Sequence, residues 1–257
     1  MLGLEEQQLG SGKPLVLLHG EDGLLFSSEL LGELGQRFRV HAPSHPGWGA
    51  SERGGHVTTV DDLSYVYLDY LEQSYNEPVP VVGCSLGGWI AADVAVKSEA
   101  RICALVLVSP LGIKVGERTT RDFLDIYAVP RAAVARANYG TGHRPDLARL
   151  HPEDFEYLAR AQEAAARFGW NPYLHDPKLR ARLRRITVPT LILWGQDDGL
   201  MLDPAGYYRA FADAIGANAS VAALPGCGHR VEEQSPGAVA GAVATFLAAG
   251  ATAEASR

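Results

Sequence analysis

The sequence predicts an α/β fold in which helices cover both faces of a doubly wound, mostly parallel sheet. Apolar, β-rich runs recur along the chain, and several are apolar at consecutive positions, which is typical of strands buried on both faces. Helix-like segments separate most of these runs, and this alternation indicates parallel strands joined by right-handed crossovers. The predicted strands are Pro14–Leu18, Phe38–Ala42, Val79–Val82, Ile102–Val108, Thr190–Trp194 and Ser220–Leu224. The predicted helices are Leu24–Gln36, Val60–Ser74, Leu86–Lys97, Pro204–Ile215 and Pro236–Ala248.

One long segment interrupts the alternation of strands and helices. Residues 113–186 contain no convincing strand and show Ala-, Arg- and Leu-rich helical patterns at Pro130–Asn138 and Pro152–Phe168. A helical insertion that enters and leaves at strand ends is expected to lie over the carboxyl edge of the sheet, where ligands of open α/β sheets bind. We therefore expect a core of residues 1–112 and 187–257 and a helical cap, or lid, of residues 113–186.

The composition excludes several classes of function. A chain of 257 residues, 47% of them hydrophobic, suits one large α/β domain with an insertion. Its net charge of −7 argues against nucleic-acid binding, which needs clustered Lys and Arg. The three cysteines form no disulfide framework, and the sequence shows no signal peptide and no run as long as a membrane span. We expect a cytoplasmic protein with a small-molecule substrate and no membrane partner. The oligomeric state stays open, with a homodimer as one alternative.

Charge is distributed unevenly along the chain. Residues 113–187 hold 14 of the 23 basic residues and 9 of the 30 acidic residues, so this segment is positive and the remainder is strongly negative. A basic segment over an acidic body would steer anionic substrates toward it, whereas solvated helix faces explain the same composition without any function. Both interpretations stay open.

The pentapeptide Gly83-Cys84-Ser85-Leu86-Gly87 lies between a predicted strand and a predicted helix, which is the context of a nucleophile elbow. Glycines allow neighbouring chain to pass close to a tight turn with a strained residue at its tip. Such a turn presents the Ser85 hydroxyl near the amino end of the next helix, where unpaired N–H groups stabilise negative charge. Chance Gly/Ser turns give the same pattern, and two later residues favour the catalytic interpretation.

Those later residues are a carboxylate and a histidine. Serine is a weak nucleophile unless a base accepts its proton, and the base needs an orienting group. Asp197 and Asp198 follow one predicted strand, and His229 follows the last one in a glycine-rich loop. Loops at the carboxyl ends of parallel strands converge on one site, so these side chains are expected to meet Ser85. The residues themselves leave Asp197 and Asp198 as alternatives.

Acyl transfer also requires an oxyanion hole, because negative charge develops on the carbonyl oxygen of the substrate. Two backbone N–H groups are expected to form it, that of Leu86 after the nucleophile and that of Glu21 after an early strand. His19, which precedes Gly20, is expected to hold this loop by hydrogen bonds. The sequence contains no metal-ligand motif, and we expect neither a metal nor a cofactor.

Together these motifs resemble those of the α/β-hydrolase superfamily over essentially the whole chain. The resemblance implies the α/β-hydrolase fold, and it is strongest to lid-bearing bacterial serine hydrolases such as carboxylesterases, C–C bond hydrolases and cofactor-free haloperoxidases. It also implies a Ser85–Asp198–His229 triad, because the acid of this family falls three residues after the glycine of a Trp-Gly pair. The motifs that carry it are His19-Gly20, Ala42–Ser51, Gly83–Gly88, Trp194-Gly195-x-x-Asp198 and Gly226-x-Gly228-His229.

Two departures from the family pattern restrict the implied chemistry. Epoxide hydrolases and haloalkane dehalogenases carry an aspartate at the elbow, so Ser85 argues against both. C–C hydrolases of ring-cleavage products usually carry a glycine-rich run where Glu21-Asp22 stands here, which weakens that alternative. These two carboxylates either point outward without effect or repel anionic acyl groups.

The sequence therefore predicts a serine carboxylesterase acting on a small or medium ester. The alternatives are a C–C hydrolase, lactonase, thioesterase or acyltransferase with the same triad, and a non-catalytic binding protein of the same fold. Aromatic residues of the cap are expected to set specificity, together with a few residues of the body, although some of them only pack the cap. The predicted substrate-binding residues are Trp48, Trp89, Leu111, Tyr127, Tyr139 and Trp170.

Overall fold

The computed structural model describes residues 2–255, which form seven strands and nine α-helices. The strands are β1 (Glu6–Leu9), β2 (Pro14–Leu18), β3 (Arg39–Pro43), β4 (Val79–Cys84), β5 (Ile102–Val108), β6 (Thr190–Gly195) and β7 (Ala219–Leu224). The helices are α1 (Ser28–Gly35), α2 (Val60–Ser74), α3 (Leu86–Lys97), α4 (Arg131–Tyr139), α5 (Pro152–Gly169), α6 (Leu179–Arg182), α7 (Pro204–Ile215), α8 (Val231–Gln234) and α9 (Pro236–Ala255). Two short 3-10 helices, Leu147–Arg149 and Leu183–Arg185, complete the described chain.

All seven strands join one sheet in the order β1-β3-β2-β4-β5-β6-β7. Strands β2 to β7 are parallel and β1 is antiparallel, so the predicted fold class is confirmed. The sequence prediction missed β1, which pairs with β3 from Glu6 opposite Pro43 to Leu9 opposite Val40. This edge strand reads Glu-Gln-Gln-Leu and is largely exposed, so it lacks the buried apolar run used to identify the others.

Two buried apolar clusters, one on each face of the sheet, hold the helices in place. Leu15 and Leu17 belong to the cluster under α1 and α9, whereas Val16 and Leu18 belong to the cluster under α2, α3 and α7. Consecutive residues of β2 therefore point into opposite cores, because side chains alternate along a strand. This double burial explains why the strands are apolar at consecutive positions.

Helix α1 begins four residues later than predicted. Residues 21–26 form turns instead, with hydrogen bonds from Gly23 N–H to Gly20 C=O and from Ser27 N–H to Leu24 C=O. The Tyr157 hydroxyl of α5 accepts the Leu24 N–H at 2.9 Å, so a residue of the predicted cap holds this turn. The loop after β2 is consequently longer than predicted, and it carries Glu21.

The segment of residues 113–186 contains α4, α5 and α6 and contributes no strand to the sheet. Backbone hydrogen bonds are among the contacts that join this segment to the carboxyl edge of the sheet. Ala137 C=O accepts the N–H groups of Gly199 and His229, and Asn138 C=O accepts that of Arg230 at 2.9 Å. The carboxyl end of α4 thus rests on the loops after β6 and β7. The division into a core and a separate cap stays a prediction.

Strand β2 lies between β3 and β4, so the chain proceeds in opposite directions across the sheet on its two sides. Such a reversal separates the loops that leave neighbouring strands and opens a site at their carboxyl ends. The loops after β2 and β4 flank this point, and they carry Glu21 and Ser85.

Candidate active site

Ser85 occupies the tip of the turn between β4 and α3 and adopts a strained backbone, with φ 50° and ψ −110°. A serine at positive φ needs surroundings that over-determine it. The neighbouring glycines supply close approaches that no other residue allows: a Cβ on Gly83 would lie 2.4 Å from the Gly87 carbonyl oxygen, and one on Gly87 would lie 2.2 Å from that of Leu18. Only glycine fits at positions 83 and 87, so these two residues permit the tight turn that carries Ser85.

The structure brings the three predicted catalytic side chains into one hydrogen-bonded chain. Ser85 Oγ lies 2.6 Å from His229 Nε2, and His229 Nδ1 lies 2.9 Å from Asp198 Oδ2. All three side chains are buried. Asp197, the alternative acid, points elsewhere and borders a cavity beside α4. This geometry is that of a nucleophile, a base and an orienting carboxylate.

The carboxylate of Asp198 is held on both oxygens. Tyr208 of α7 donates its hydroxyl to Oδ2 at 2.5 Å, and Leu200 N–H donates to Oδ1 at 2.9 Å. Burial alone would raise the pKa of Asp198, but His229, Tyr208 and the Leu200 N–H hold that pKa below its usual value. Asp198 is therefore ionised and fixed in orientation.

His229 carries a pKa above the ordinary value for histidine. Burial lowers this pKa, and the nearby Arg230 lowers it further. The Asp198 carboxylate outweighs both, with a further contribution from Glu21. The imidazolium that forms when His229 takes a proton from Ser85 is thus stabilised by two carboxylates.

The loop after β2 is held by a pair of neutral histidines. His19 Nε2 accepts the His45 N–H at 2.9 Å, and His45 Nε2 lies 2.9 Å from the His19 carbonyl oxygen. Burial lowers the pKa of His19 to about 4, so the ring is neutral and fits this acceptor role. The Trp48 indole donates to the Glu21 carbonyl oxygen at 2.8 Å. These contacts fix the backbone of Glu21, as expected for a predicted oxyanion-hole residue.

Leu86, the second predicted oxyanion-hole residue, is the first residue of α3. Its N–H is one of the first four of the helix, which have no acceptor within the helix. The donor therefore lies beside the nucleophile with the positive end of the helix dipole behind it.

The side chain of Glu21 was not predicted to touch the nucleophile. Its Oε1 accepts a hydrogen bond from Ser85 Oγ at 2.8 Å, while the same Oγ lies 2.6 Å from His229 Nε2. Arg230 holds the same carboxylate through Nη1–Oε2 at 3.1 Å and holds Asp22 through Nη2–Oδ2 at 2.8 Å. The adjacent acids Glu21 and Asp22 imply a cationic partner, but the sequence gives no sign that it is the neighbour of His229.

The six predicted substrate-binding residues fall into different surroundings. Trp48 is fully buried and stacks on Phe168 of α5, while Leu111 donates its N–H to the Ser85 carbonyl oxygen at 3.2 Å. Tyr127 and Trp170 form an edge-to-face pair 5.3 Å apart and are both more than half exposed. Trp89 packs against Gly112, and Tyr139 donates its hydroxyl to Glu233 at 2.7 Å. Their role in binding stays a prediction.

An open cavity of about 520 Å³ lies between α4 and the loop after β6. Its lining residues are Leu124, Ala133, Arg136, Ala137, Gly140, Thr141, Asp197 and Gly199, and the predicted substrate-binding residues are not among those described there. Ser85 itself is only 1% exposed. Access to the nucleophile therefore requires movement of the groups that cover it.

The sequence model of the alpha/beta hydrolase family matches residues 15–242 of this chain. The chain belongs to the alpha/beta hydrolase family. Among solved structures, a serine hydrolase involved in carbazole degradation superimposes with a TM-score of 0.77 at 22% identity, covering 96% of this chain and 95% of that one. Likeness at this identity shows the shared hydrolase fold.

Curated relatives of this hydrolase carry different activities at the same similarity. A pimeloyl-[acyl-carrier protein] methyl ester esterase of Nitrosomonas europaea is 28% identical, with 89% of this chain and 93% of that protein covered. A 2-hydroxymuconate semialdehyde hydrolase of a Pseudomonas species is also 28% identical, with 93% and 88% covered. Haloalkane dehalogenase 2 of Mycobacterium bovis matches at 28% identity over 91% and 87%. Identity alone therefore does not choose among these reactions.

Between residues 2 and 255, no helix combines the length and apolar character that crossing a membrane requires. Over the same residues, no group of three or more His, Cys, Asp or Glu side chains is arranged to hold a metal ion. The expectation that catalysis needs no metal or cofactor stays a prediction.

Proposed function

We propose that this protein is a serine hydrolase that cleaves small or medium carboxylic esters through an acyl-enzyme. The observation that carries the proposal is the continuous relay of Ser85, His229 and Asp198, with heavy-atom distances of 2.6 and 2.9 Å. Distances of this size allow proton transfer from the hydroxyl to the imidazole once the single Ser85 proton, which Glu21 Oε1 accepts in this structure, turns toward His229 Nε2.

The proposed cycle uses the same histidine in both halves of the reaction. His229 takes the Ser85 proton while Ser85 attacks the ester carbonyl, and Asp198 stabilises the imidazolium. The N–H groups of Leu86 and Glu21 donate hydrogen bonds to the oxyanion. His229 then protonates the leaving alcohol and later activates the water that releases the acid. We propose that residues 113–186 act as the cap over this site and supply part of its specificity.

The nucleophile separates this proposal from the dehalogenase relative. Family resemblance implies an aspartate at the elbow of haloalkane dehalogenases, and this chain carries Ser85. The methyl ester esterase relative supports ester chemistry at a similarity equal to that of the C–C hydrolase relative. The Glu21 carboxylate on the nucleophile favours the esterase, because it stands where the glycine-rich run of C–C hydrolases is expected.

The test uses short p-nitrophenyl esters and a fluorophosphonate probe. We expect a burst of p-nitrophenol and covalent labelling of the wild-type protein, and loss of both in Ser85→Ala. Cleavage of vinylogous 1,5-diketones is measured alongside and is expected to be much slower than ester hydrolysis. A wild-type protein that is folded, yet gives neither burst nor adduct, excludes a serine hydrolase; faster diketone cleavage favours the C–C hydrolase.

A further inference from the structure

The Glu21 carboxylate lies against the nucleophile that the proposed reaction requires. Its Oε1 accepts the Ser85 hydroxyl at 2.8 Å, and the backbone N–H of the same residue is the predicted oxyanion donor. A substrate carbonyl must approach the same hydroxyl and point its oxygen at the same N–H. Whatever acyl group enters must therefore either displace this carboxylate or pair with it.

The carboxylate at this position is charged. Burial alone would raise the pKa of Glu21, but Arg230 and His229 hold it below its usual value, with help from the hydrogen bond of Ser85. Arg230 is shared, since its guanidinium also pairs with Asp22. Two carboxylates thus face one guanidinium beside Ser85, which leaves an excess of negative charge.

The elements packed around this group add further acids rather than cations. Glu232 and Glu233 of α8 lie near Arg230, and burial raises the pKa of both, that of Glu233 to about 8. Tyr139 of α4 donates its hydroxyl to Glu233. Burial therefore favours the neutral form of both acids, which limits the negative charge around Arg230 but provides no free cation for an anionic substrate.

We propose that Glu21 is a specificity-determining residue, and that the site selects esters whose acyl group carries a cation or a hydrogen-bond donor close to the carbonyl and rejects those with a carboxylate there. This inference rests on the proposed ester hydrolysis. An ammonium group replaces the hydrogen bond that Glu21 loses from Ser85 with an ion pair. An alkyl group offers no replacement, and a carboxylate meets a like charge in a partly buried site.

The experiment compares three methyl esters that differ only in the end of the acyl chain. They are β-alanine methyl ester, methyl butyrate and monomethyl succinate, and release of acid is followed by titration at constant neutral pH. We expect kcat/KM to fall in that order, with the cationic ester favoured over the anionic one by about 100-fold, from charge pairs partly screened by solvent. Preference for monomethyl succinate overturns the proposal and assigns Arg230 to substrate binding.

Substitution then assigns the preference to Glu21. Glu21→Gln keeps the backbone donor and removes the charge, and we expect the cation-to-anion ratio to fall to within about threefold. Asp22→Asn is the matched control, because it removes the same charge from Arg230 without touching Ser85. We expect this variant to keep most of the preference. Equal collapse in both variants overturns the proposal, because general charge rather than Glu21 would then set the ratio.

Fluorophosphonate labelling separates the two levels of failure. Labelled wild-type protein with the wrong order of esters contradicts the specificity and leaves the serine hydrolase intact. Absence of labelling contradicts both the specificity and the serine hydrolase. If Glu21→Gln does not fold, as judged by circular dichroism, Glu21→Asp replaces it: the shorter side chain draws the carboxylate away from Ser85, and the ratio is expected to fall below that of the wild type.

Discussion

Two sets of charged groups meet at the Ser85 hydroxyl and differ in kind: His229 and Asp198 are buried, whereas the carboxylates of Glu21 and Asp22 are partly exposed. On one side, a single file runs from Ser85 through His229 to Asp198, and Tyr208 donates to the same carboxylate. On the other side, Glu21 belongs to a branched cluster in which Arg230 is shared with Asp22. The first set fits proton transfer, since its order is fixed. The second set fits recognition, since its carboxylate has alternative partners and can exchange one for another.

Removal of the nucleophile is expected to have the largest effect, because both sets of charged groups act through Ser85. Ser85→Ala eliminates the group on which both sets converge, and we expect kcat for ester hydrolysis to fall by about 10⁶-fold, the size of the loss when a known serine hydrolase loses its nucleophile. Steady-state kinetics on p-nitrophenyl esters measures the loss, with circular dichroism as the check on folding. Residual activity within tenfold of the wild type would place the chemistry elsewhere.

The next largest effect distinguishes two neighbouring acids after β6. Asp198→Asn removes the carboxylate that orients His229 and stabilises its charged form, and we expect kcat to fall by about 10⁴-fold. Asp197→Asn is the matched control, because Asp197 takes no part in the relay and borders the open cavity instead. The two variants are compared with the same neutral ester. A similar loss in both would contradict the assignment of Asp198 as the orienting acid.

Residues that obey local rules were predictable, and residues that act across the fold were not. Ser85, Asp198 and His229 each follow a strand in a recognisable short motif, and the parallel sheet accounts for their convergence, whereas the choice of Asp198 over Asp197 comes from the family resemblance. Tyr208 contacts the Asp198 carboxylate from within α7 and belongs to no motif with it, so the sequence does not predict this hydrogen bond.

Strand β1 escaped prediction for a different physical reason. An exposed edge strand needs no apolar pattern, since backbone pairing with β3 holds it. The late start of α1 likewise depends on a distant contact, the Tyr157 hydroxyl at Leu24 N–H. Hydrophobic patterning therefore identifies elements that are buried. It does not predict an exposed strand or a helix boundary that depends on hydrogen bonds to distant parts of the chain.

Tyr208 tests how far the single file extends beyond Asp198. Burial and the Asp198 carboxylate raise the pKa of Tyr208 well above its usual value, so this neutral hydroxyl donates to a charged acceptor. Hydrogen bonds of this kind contribute about 1.5–3 kcal/mol, and we expect Tyr208→Phe to lower kcat by about tenfold with little change in KM. Tyr207→Phe is the control, since that hydroxyl accepts from Ile113 N–H instead. An equal effect of both variants would indicate a packing defect in α7.

The smallest expected effect concerns the link between the two sets, the influence of Glu21 on His229. Burial lowers the pKa of His229, but Asp198 and then Glu21 raise it, so the net pKa lies above the ordinary value. Catalysis needs the neutral imidazole as base, and activity is therefore lost as pH falls through this raised pKa. Glu21→Gln removes one of the two carboxylates that stabilise the imidazolium, so the acid limb of kcat/KM for methyl butyrate should move to lower pH.

Asp22→Asn, which does not contact Ser85, should leave the limb closer to that of the wild type. An acid limb that stays in place in Glu21→Gln would mean that the two sets share only the Ser85 hydroxyl and that Glu21 does not act on the base.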